Sequence, residues 1–389
     1  MTHIVLPTDQ QKLERYNCVS SGYGAYVPSQ PFTRTVYAAA HVVVDPLVES
    51  HPWVKASAID WDATLTYREH LWKMGFKVAE AMDTAQRGMG VDWPTSLELI
   101  KRSLDVARGI EGADLASGVG TDQLIDFSGL TLDEVKGAYI EQIEAVESAG
   151  GRIILMASRA LAKIAQGPDD YIRIYNELIQ GCQKPVILHW LGDMFDPQLA
   201  GYWGSDDVWK NMDTVLAIIN GNSSKIDGIK ISLLEKEYEF VLRKRLPVGV
   251  KMFTGDDFNY PELIEGDGEY YSHGLLGVFD PIAPVAARAL ECLAKGDSTQ
   301  YRQLMDPTIE LSRKIFESPT QFYKTGIIFI AWLNGYQSHF TMAAGMQSAR
   351  SIIHFTEVFR LADRAGVLKD PENAVKRMRK LLAIHGISQ

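Results

Sequence analysis

The chain has 389 residues, 46% of them hydrophobic and 23% charged, with a formal charge of −10 at pH 7. That length accommodates one large barrel with additions or two ordinary domains. The acidic balance is scattered, with no acidic tail, and argues against a nucleic-acid partner. No apolar run approaches the roughly 20 residues of a membrane span. The opening Met1-Thr2-His3-Ile4-Val5-Leu6-Pro7 has no basic region followed by an apolar stretch, so no signal peptide and no membrane association are expected. Cys18, Cys182 and Cys292 lie far apart with no CxxC or Cys/His spacing, which predicts free thiols in a reducing cytoplasm and no catalytic thiol.

Residues 1–34 are mixed and polar and read as an N-terminal arm. From about residue 35, short apolar runs alternate with longer amphipathic ones. Strands are expected over 36–44, 76–82, 114–117, 152–156, 185–190, 226–232, 248–254 and 274–279. Helices are expected over 66–74, 96–107, 132–148, 169–179, 207–219, 235–245 and 282–295. The helix over 132–148 is the clearest, with Thr131 as N-cap and Asp133 and Glu134 in its first turn. This alternation implies a parallel sheet with right-handed crossovers, and eight units favour closure into a (β/α)8 TIM barrel over 35–297. A doubly wound sheet is the alternative, but no GxGxxG follows the first strand. Beyond residue 297 the strand signal ends. Helices over 299–316, 321–344, 349–365 and 371–384 form a C-terminal α-helical extension, 298–389.

Lys230, in Ile226-Asp227-Gly228-Ile229-Lys230-Ile231-Ser232, sits near the end of a strand that reads as buried. In a parallel barrel the chemistry collects at the C-terminal ends of the strands, and side chains alternate between interior and helix side. Ile229 and Ile231 belong under the helices, which turns Gly228 and Lys230 inward. Burial disfavours the ammonium form, and a neutral amine can attack a carbonyl to form an iminium. The bland alternative is a lysine that snorkels to the rim or pairs with an acid. Lys251 is a rival, but it lies near the start of its strand, the end associated with stability.

Ile226–Ser232 resembles the Schiff-base strand of the dihydrodipicolinate synthase / N-acetylneuraminate lyase superfamily. Phe253-Thr254-Gly255-Asp256-Asp257 is similar to that family's Gly-Asp-Asp turn, and Ser117-Gly118-Val119-Gly120-Thr121 to its glycine turn after barrel strand three. Gly274-Leu275-Leu276-Gly277-Val278, Pro284 and Gly296-Asp297 continue the match, which spans roughly 36–385. The resemblance implies a class I (Schiff-base) lyase with Lys230 as nucleophile and Gly255 and Asp256 near substrate. It requires no cofactor or metal, and it implies a homodimer or homotetramer.

Two departures stand out. The family's Tyr-Asn after barrel strand five is replaced by His189-Trp190, which makes His189 the candidate proton shuttle. The family's Thr-Thr pair after strand two, which binds a keto-acid carboxylate, is replaced by Asp83-Thr84. A carboxylate at 83 repels a substrate carboxylate and suits hydroxyls instead. A neutral, hydroxylated, sugar-derived keto compound is therefore the expected partner, with Asp83 and Thr84 binding it. Arg159 is placed to orient a substrate oxygen, or stands on the rim. Asp280 and His273 flank the last strand, their roles open. Two other readings are a metal-dependent sugar isomerase, epimerase or aldolase using Asp83, His189, Asp193 and His273, and a non-catalytic sugar-binding barrel.

Overall fold

The computed structural model describes residues 2–49, 51–53 and 58–388. An antiparallel hairpin, β1 (His3–Pro7) and β2 (Leu13–Asn17), opens the chain. Eight strands follow: β3 (Val36–Ala39), β4 (Lys77–Glu80), β5 (Leu115–Val119), β6 (Ile153–Leu155), β7 (Val186–Leu191), β8 (Ile226–Ser232), β9 (Lys251–Thr254) and β10 (His273–Leu276). They close into a parallel barrel in chain order, with β10 beside β3. This is the (β/α)8 barrel expected from the alternation.

Its wall helices are α1 (Trp61–Lys73), α2 (Trp93–Arg108), α3 (Leu132–Ser148), α4 (Arg159–Ile164), α5 (Pro168–Gly181), α6 (Val208–Gly221), α7 (Lys236–Arg245), α8 (Tyr260–Glu265) and α9 (Phe279–Ala294). The extension follows as α10 (Ser298–Ile315), α11 (Tyr323–Leu333), α12 (Ile352–Arg364) and α13 (Pro371–Ile384). Helix α3 has the expected bounds, and Thr131 and Glu134 form a reciprocal capping box at its start.

Alternation divides the core into two layers. Tyr37, Ala79, Ala116, Ile154, Ile187, Phe253 and Leu275 fill the barrel. Val78, Val119, Leu155, Leu188, Ile229 and Ile231 face the helices in a second layer, which runs on without a break into α10–α13.

The expected boundaries differ in places, each with a local cause. The strand expected over 36–44 keeps its ladder only to Ala39, although 40–44 stay buried. The last strand ends at Leu276, and Phe279 begins α9. Asp257 accepts a hydrogen bond from the Val278 N–H at 3.0 Å, which fixes that turn. The helix expected over 321–344 stops at Leu333, because Asn334-Gly335 forms a C-cap with Gly335 at φ 80. The six-residue helices α4 and α8 were not foreseen, being too short to show a period. Nor was the hairpin in the N-terminal arm. It docks on the extension, where Asp363 of α12 accepts from the Tyr16 hydroxyl at 2.7 Å and the Val19 N–H at 2.8 Å.

Candidate active site at the C-terminal mouth of the barrel

His189 on β7 and Lys230 on β8 are direct neighbours in the parallel ladder, and both face the interior. Backbone space is cleared for the lysine. A Cβ on Gly255 would stand 2.6 Å from the Lys230 Cε, and one on Gly228 would stand 2.6 Å from the Phe253 ring. Both positions therefore exclude a side chain for reasons of packing. At the start of β8 a register shift leaves Asp227 without a ladder partner between Ile226 and Gly228. Lys230 keeps its inward direction beyond that bulge.

Lys230 is 8% exposed, and its amine hydrogen-bonds to no group among the described residues. Burial lowers its pKa below the ordinary lysine value, while the Asp257 and Asp83 carboxylates work the other way. The same burial pushes the Asp257 carboxyl up to about 7, against the pull of Lys230. Desolvation therefore disfavours the ionised form of both groups, while each charge favours the other. His189 is 1% exposed, and neither ring nitrogen has a hydrogen-bond partner. Burial and then the Lys230 charge hold its pKa well below 6.5, so the imidazole is neutral.

His189 lines a cavity of about 310 Å³ together with Asp83, Thr121, Met156, Ser158 and Arg159, among others, while Lys230 and Asp257 lie outside its lining. Its volume is at the small end of ligand pockets. Asp83 and Thr84 sit in a short 3-10 turn after β4. The Thr84 hydroxyl is 2.9 Å from the hydroxyl of Tyr323, the first residue of α11. Lys324 beside it is buried, and its Nζ reaches only the Gln321 carbonyl, at 3.0 Å. Burial brings the Lys324 pKa down to about 8, opposed by Asp83 and Asp196. The helical extension thus supplies two polar side chains to the barrel mouth.

Residues 4–387 match the family model described as "Protein of unknown function (DUF993)". The chain belongs to the DUF993 family. No curated protein matches it. Among solved structures, it resembles the 4-hydroxy-tetrahydrodipicolinate synthase of Methylacidiphilum fumariolicum SolV at 14% identity and TM-score 0.63, over 89% of this chain and 99% of that one. It also resembles the Acinetobacter baumannii dihydrodipicolinate synthase complexed with pyruvate, at 14% identity and TM-score 0.61, over 86% and 99%. The Aquifex aeolicus dihydrodipicolinate synthase aligns over 91% and 98% at 12% identity and TM-score 0.59. At such identities the likeness is one of fold, and it is the fold that the Lys230 strand and the Gly-Asp-Asp turn implied.

The residues singled out in this DUF993 chain do not all meet. Lys230, His189, Asp83 and Thr84 converge on the mouth. Arg159 lines the cavity but is 42% exposed and paired to Asp196 at 2.6 Å. Asp256 is turned away, its carboxylate taken up by the Phe258 N–H at 2.8 Å, the Asn259 N–H at 3.1 Å and the Asn259 side chain at 2.8 Å. Its neighbour Asp257 is the acid facing Lys230, because a turn of one residue reverses the direction of the side chain. His273 lies at the opposite end of the barrel, where its Nδ1 accepts from the Thr35 N–H at 2.8 Å. Asp280 holds the His41 Nδ1 at 2.8 Å and the Tyr67 hydroxyl at 3.0 Å. Among the described residues, no three His, Cys, Asp or Glu side chains come together to hold a metal ion.

Three residues of this site were missed from sequence: Asp257, Tyr323 and Lys324. Asp257 stood in a quoted motif and was passed over for Asp256. Tyr323 and Lys324 begin a helix far along the chain, and nothing local ties them to Thr84 or Asp83.

Proposed function

We propose that this protein is a Schiff-base-forming lyase acting on a hydroxylated keto compound. One observation carries the reading: a buried lysine amine with no hydrogen bond among the described residues lies near a buried carboxyl with a pKa of about 7, and its ladder neighbour His189 lines a cavity. Asp257 takes the proton from the Lys230 ammonium, and the free amine adds to the substrate carbonyl carbon. The carbinolamine loses water when the protonated Asp257 returns its proton to the departing oxygen, leaving an iminium on Lys230 Nζ. The iminium withdraws electrons from the adjacent bond. A group with a free lone pair then removes either the β-hydroxyl proton, for carbon–carbon cleavage, or the α-proton, for dehydration. His189 supports that role, being neutral with both ring nitrogens free. The Thr84–Tyr323 hydroxyl pair and the Asp83 carboxylate supply donors and acceptors for substrate oxygens.

The pyruvate-bound Acinetobacter baumannii enzyme has the same fold. Here Asp83 at the cavity wall disfavours a carboxylate close to the iminium and favours hydroxyls. Assembly into dimers or tetramers, in a cytoplasmic setting, belongs to the same reading. Sedimentation gives the assembly directly.

The test is trapping. Borohydride added with a panel of hydroxylated ketones should leave a reduced adduct on the peptide carrying Lys230, found by mass spectrometry. Lys230→Ala should lose both adduct and turnover, and Asp257→Asn should slow adduct formation by roughly 100-fold. Full activity in Lys230→Ala would end this reading.

A further inference from the structure

We propose that the helical extension holds a second binding site, separate from the barrel, for a small organic anion with a planar aromatic or heteroaromatic body. A cavity of about 620 Å³ opens between the end of α11, the irregular 338–348 segment, α12 and α13. That volume lies within the usual range for small-molecule pockets. One wall is aromatic. The Trp332 and Phe340 rings stack at 5.7 Å with 16° between their planes, and Phe355 meets Phe340 edge-on at 5.2 Å. A flat ring system can extend such a stack.

The charges around the cavity are of one sign. Arg350, Arg377 and Lys380 line it and, among the described residues, no carboxylate does, in a chain whose formal charge is −10. The arginines are held in place. Arg350 donates from its Nη atoms to the carbonyls of Glu317 at 2.6 Å, Pro319 at 2.9 Å and Ser318 at 3.3 Å, while its Nε is buried without a partner. Arg377 donates from Nη1 to the Gln337 carbonyl at 2.7 Å and to the Trp332 carbonyl. Lys380 is exposed and has no ion-pair partner among the described residues. Asp45 and Asp60 act on His339, and the Glu317 carboxylate acts on Arg350, but all three from outside the lining.

Carbonyl oxygens orient the guanidinium groups, and neither forms an ion pair among the described residues. Three like charges around one concavity therefore raise a positive potential there, and a bound anion relieves it. Cations at the edge of an aromatic stack favour a ligand that is both flat and negative. The barrel cavity differs in character, its wall holding Asp83 together with the ion pairs Arg87–Asp122 and Arg159–Asp196.

The probe is 1-anilinonaphthalene-8-sulfonate, a planar aromatic anion, titrated into the full-length chain and followed by fluorescence. Its uncharged analogue N-phenyl-1-naphthylamine serves as the control. Saturable binding of one sulfonate per chain is expected, about tenfold weaker in Lys380→Glu and weaker again at 0.5 M salt. The uncharged analogue should change less than twofold between the two proteins. Lys380 is exposed, so Lys380→Glu should keep the wild-type melting curve. The proposal is overturned by an absence of saturable binding, or by equal sulfonate affinity in the two proteins. It is also overturned by a dimer that Lys380→Glu dissociates, since the cavity would then be a surface between copies.

Discussion

At the N-terminal end of the barrel, Lys77 pairs with Asp114, Arg152 bridges Asp114 at 3.3 Å and Asp227 at 3.2 Å, and Lys251 closes the chain on Asp227. At the C-terminal end, Lys230 makes no hydrogen bond among the described residues, both nitrogens of His189 are unpartnered, and Asp257 is raised to about 7. The N-terminal end pairs its partly exposed charges, and the C-terminal end buries charge without pairing it. A buried polar group without a partner costs about 1–3 kcal/mol, more when charged. Such a cost at one end of a well-paired structure is the physical mark of groups held ready for a ligand. Lys251 and Lys230 make the contrast concrete. Both are strand lysines facing the interior, and only the first has a carboxylate at its amine.

The sharpest way to break the comparison is to exchange the unpaired amine for a neutral chain of similar length. Lys230→Met should lose activity by at least about 10³-fold, while stability in denaturant titration holds or rises. A loss of several kcal/mol of stability would mean that Lys230 is structural after all.

Gly255→Ala comes next. Its new Cβ would meet the Lys230 Cε at 2.6 Å and the Ile231 carbonyl at 2.6 Å. A stability loss of about 2–3 kcal/mol should accompany displacement of the lysine, and adduct formation should fall by about 100-fold.

Asp227→Asn probes the paired end. It removes the countercharge of Lys251 and one of the two at Arg152, so unfolding free energy should drop by about 1 kcal/mol. Borohydride trapping on Lys230 should stay within twofold of wild type. A large effect on trapping would mean that the two ends are coupled.

The last test is read against pH and leaves the site untouched: it concerns Glu239, a buried carboxyl on α7. Thr254 and Ser272 approach it, but neither oxygen has a partner with hydrogen-bond geometry. Burial raises its pKa from 4.5 to about 8. The folded state therefore keeps a proton that the unfolded chain releases. Its stabilising contribution is full below the unfolded value and declines as pH rises towards about 8. Glu239→Gln should flatten that decline by up to about 1 kcal/mol per pH unit between roughly pH 5 and 8. Parallel profiles for variant and wild type would remove Glu239 from the account.

Much of this was legible in the sequence because period is a local property. Short apolar runs, with amphipathic helices between them, gave the barrel, and β8 and α3 kept their expected bounds. The orientation of Lys230 followed from the same alternation. Turns were less legible. In Gly255-Asp256-Asp257 both acids carry the same chemistry, and only the backbone path decides that Asp256 caps the turn while Asp257 faces the lysine.

By itself, then, the sequence determined the barrel and the inward lysine on β8, because both rest on patterns of residues a few positions apart, while the ladder between β7 and β8 set His189 beside that lysine. The tertiary structure decided which charges are paired. It set Lys251 on Asp227, left Lys230 unbonded next to Asp257, and brought Tyr323 and Lys324 over the mouth from a helix about 90 residues downstream. Pairing depends on distances between segments remote in the chain, and local pattern does not encode those distances.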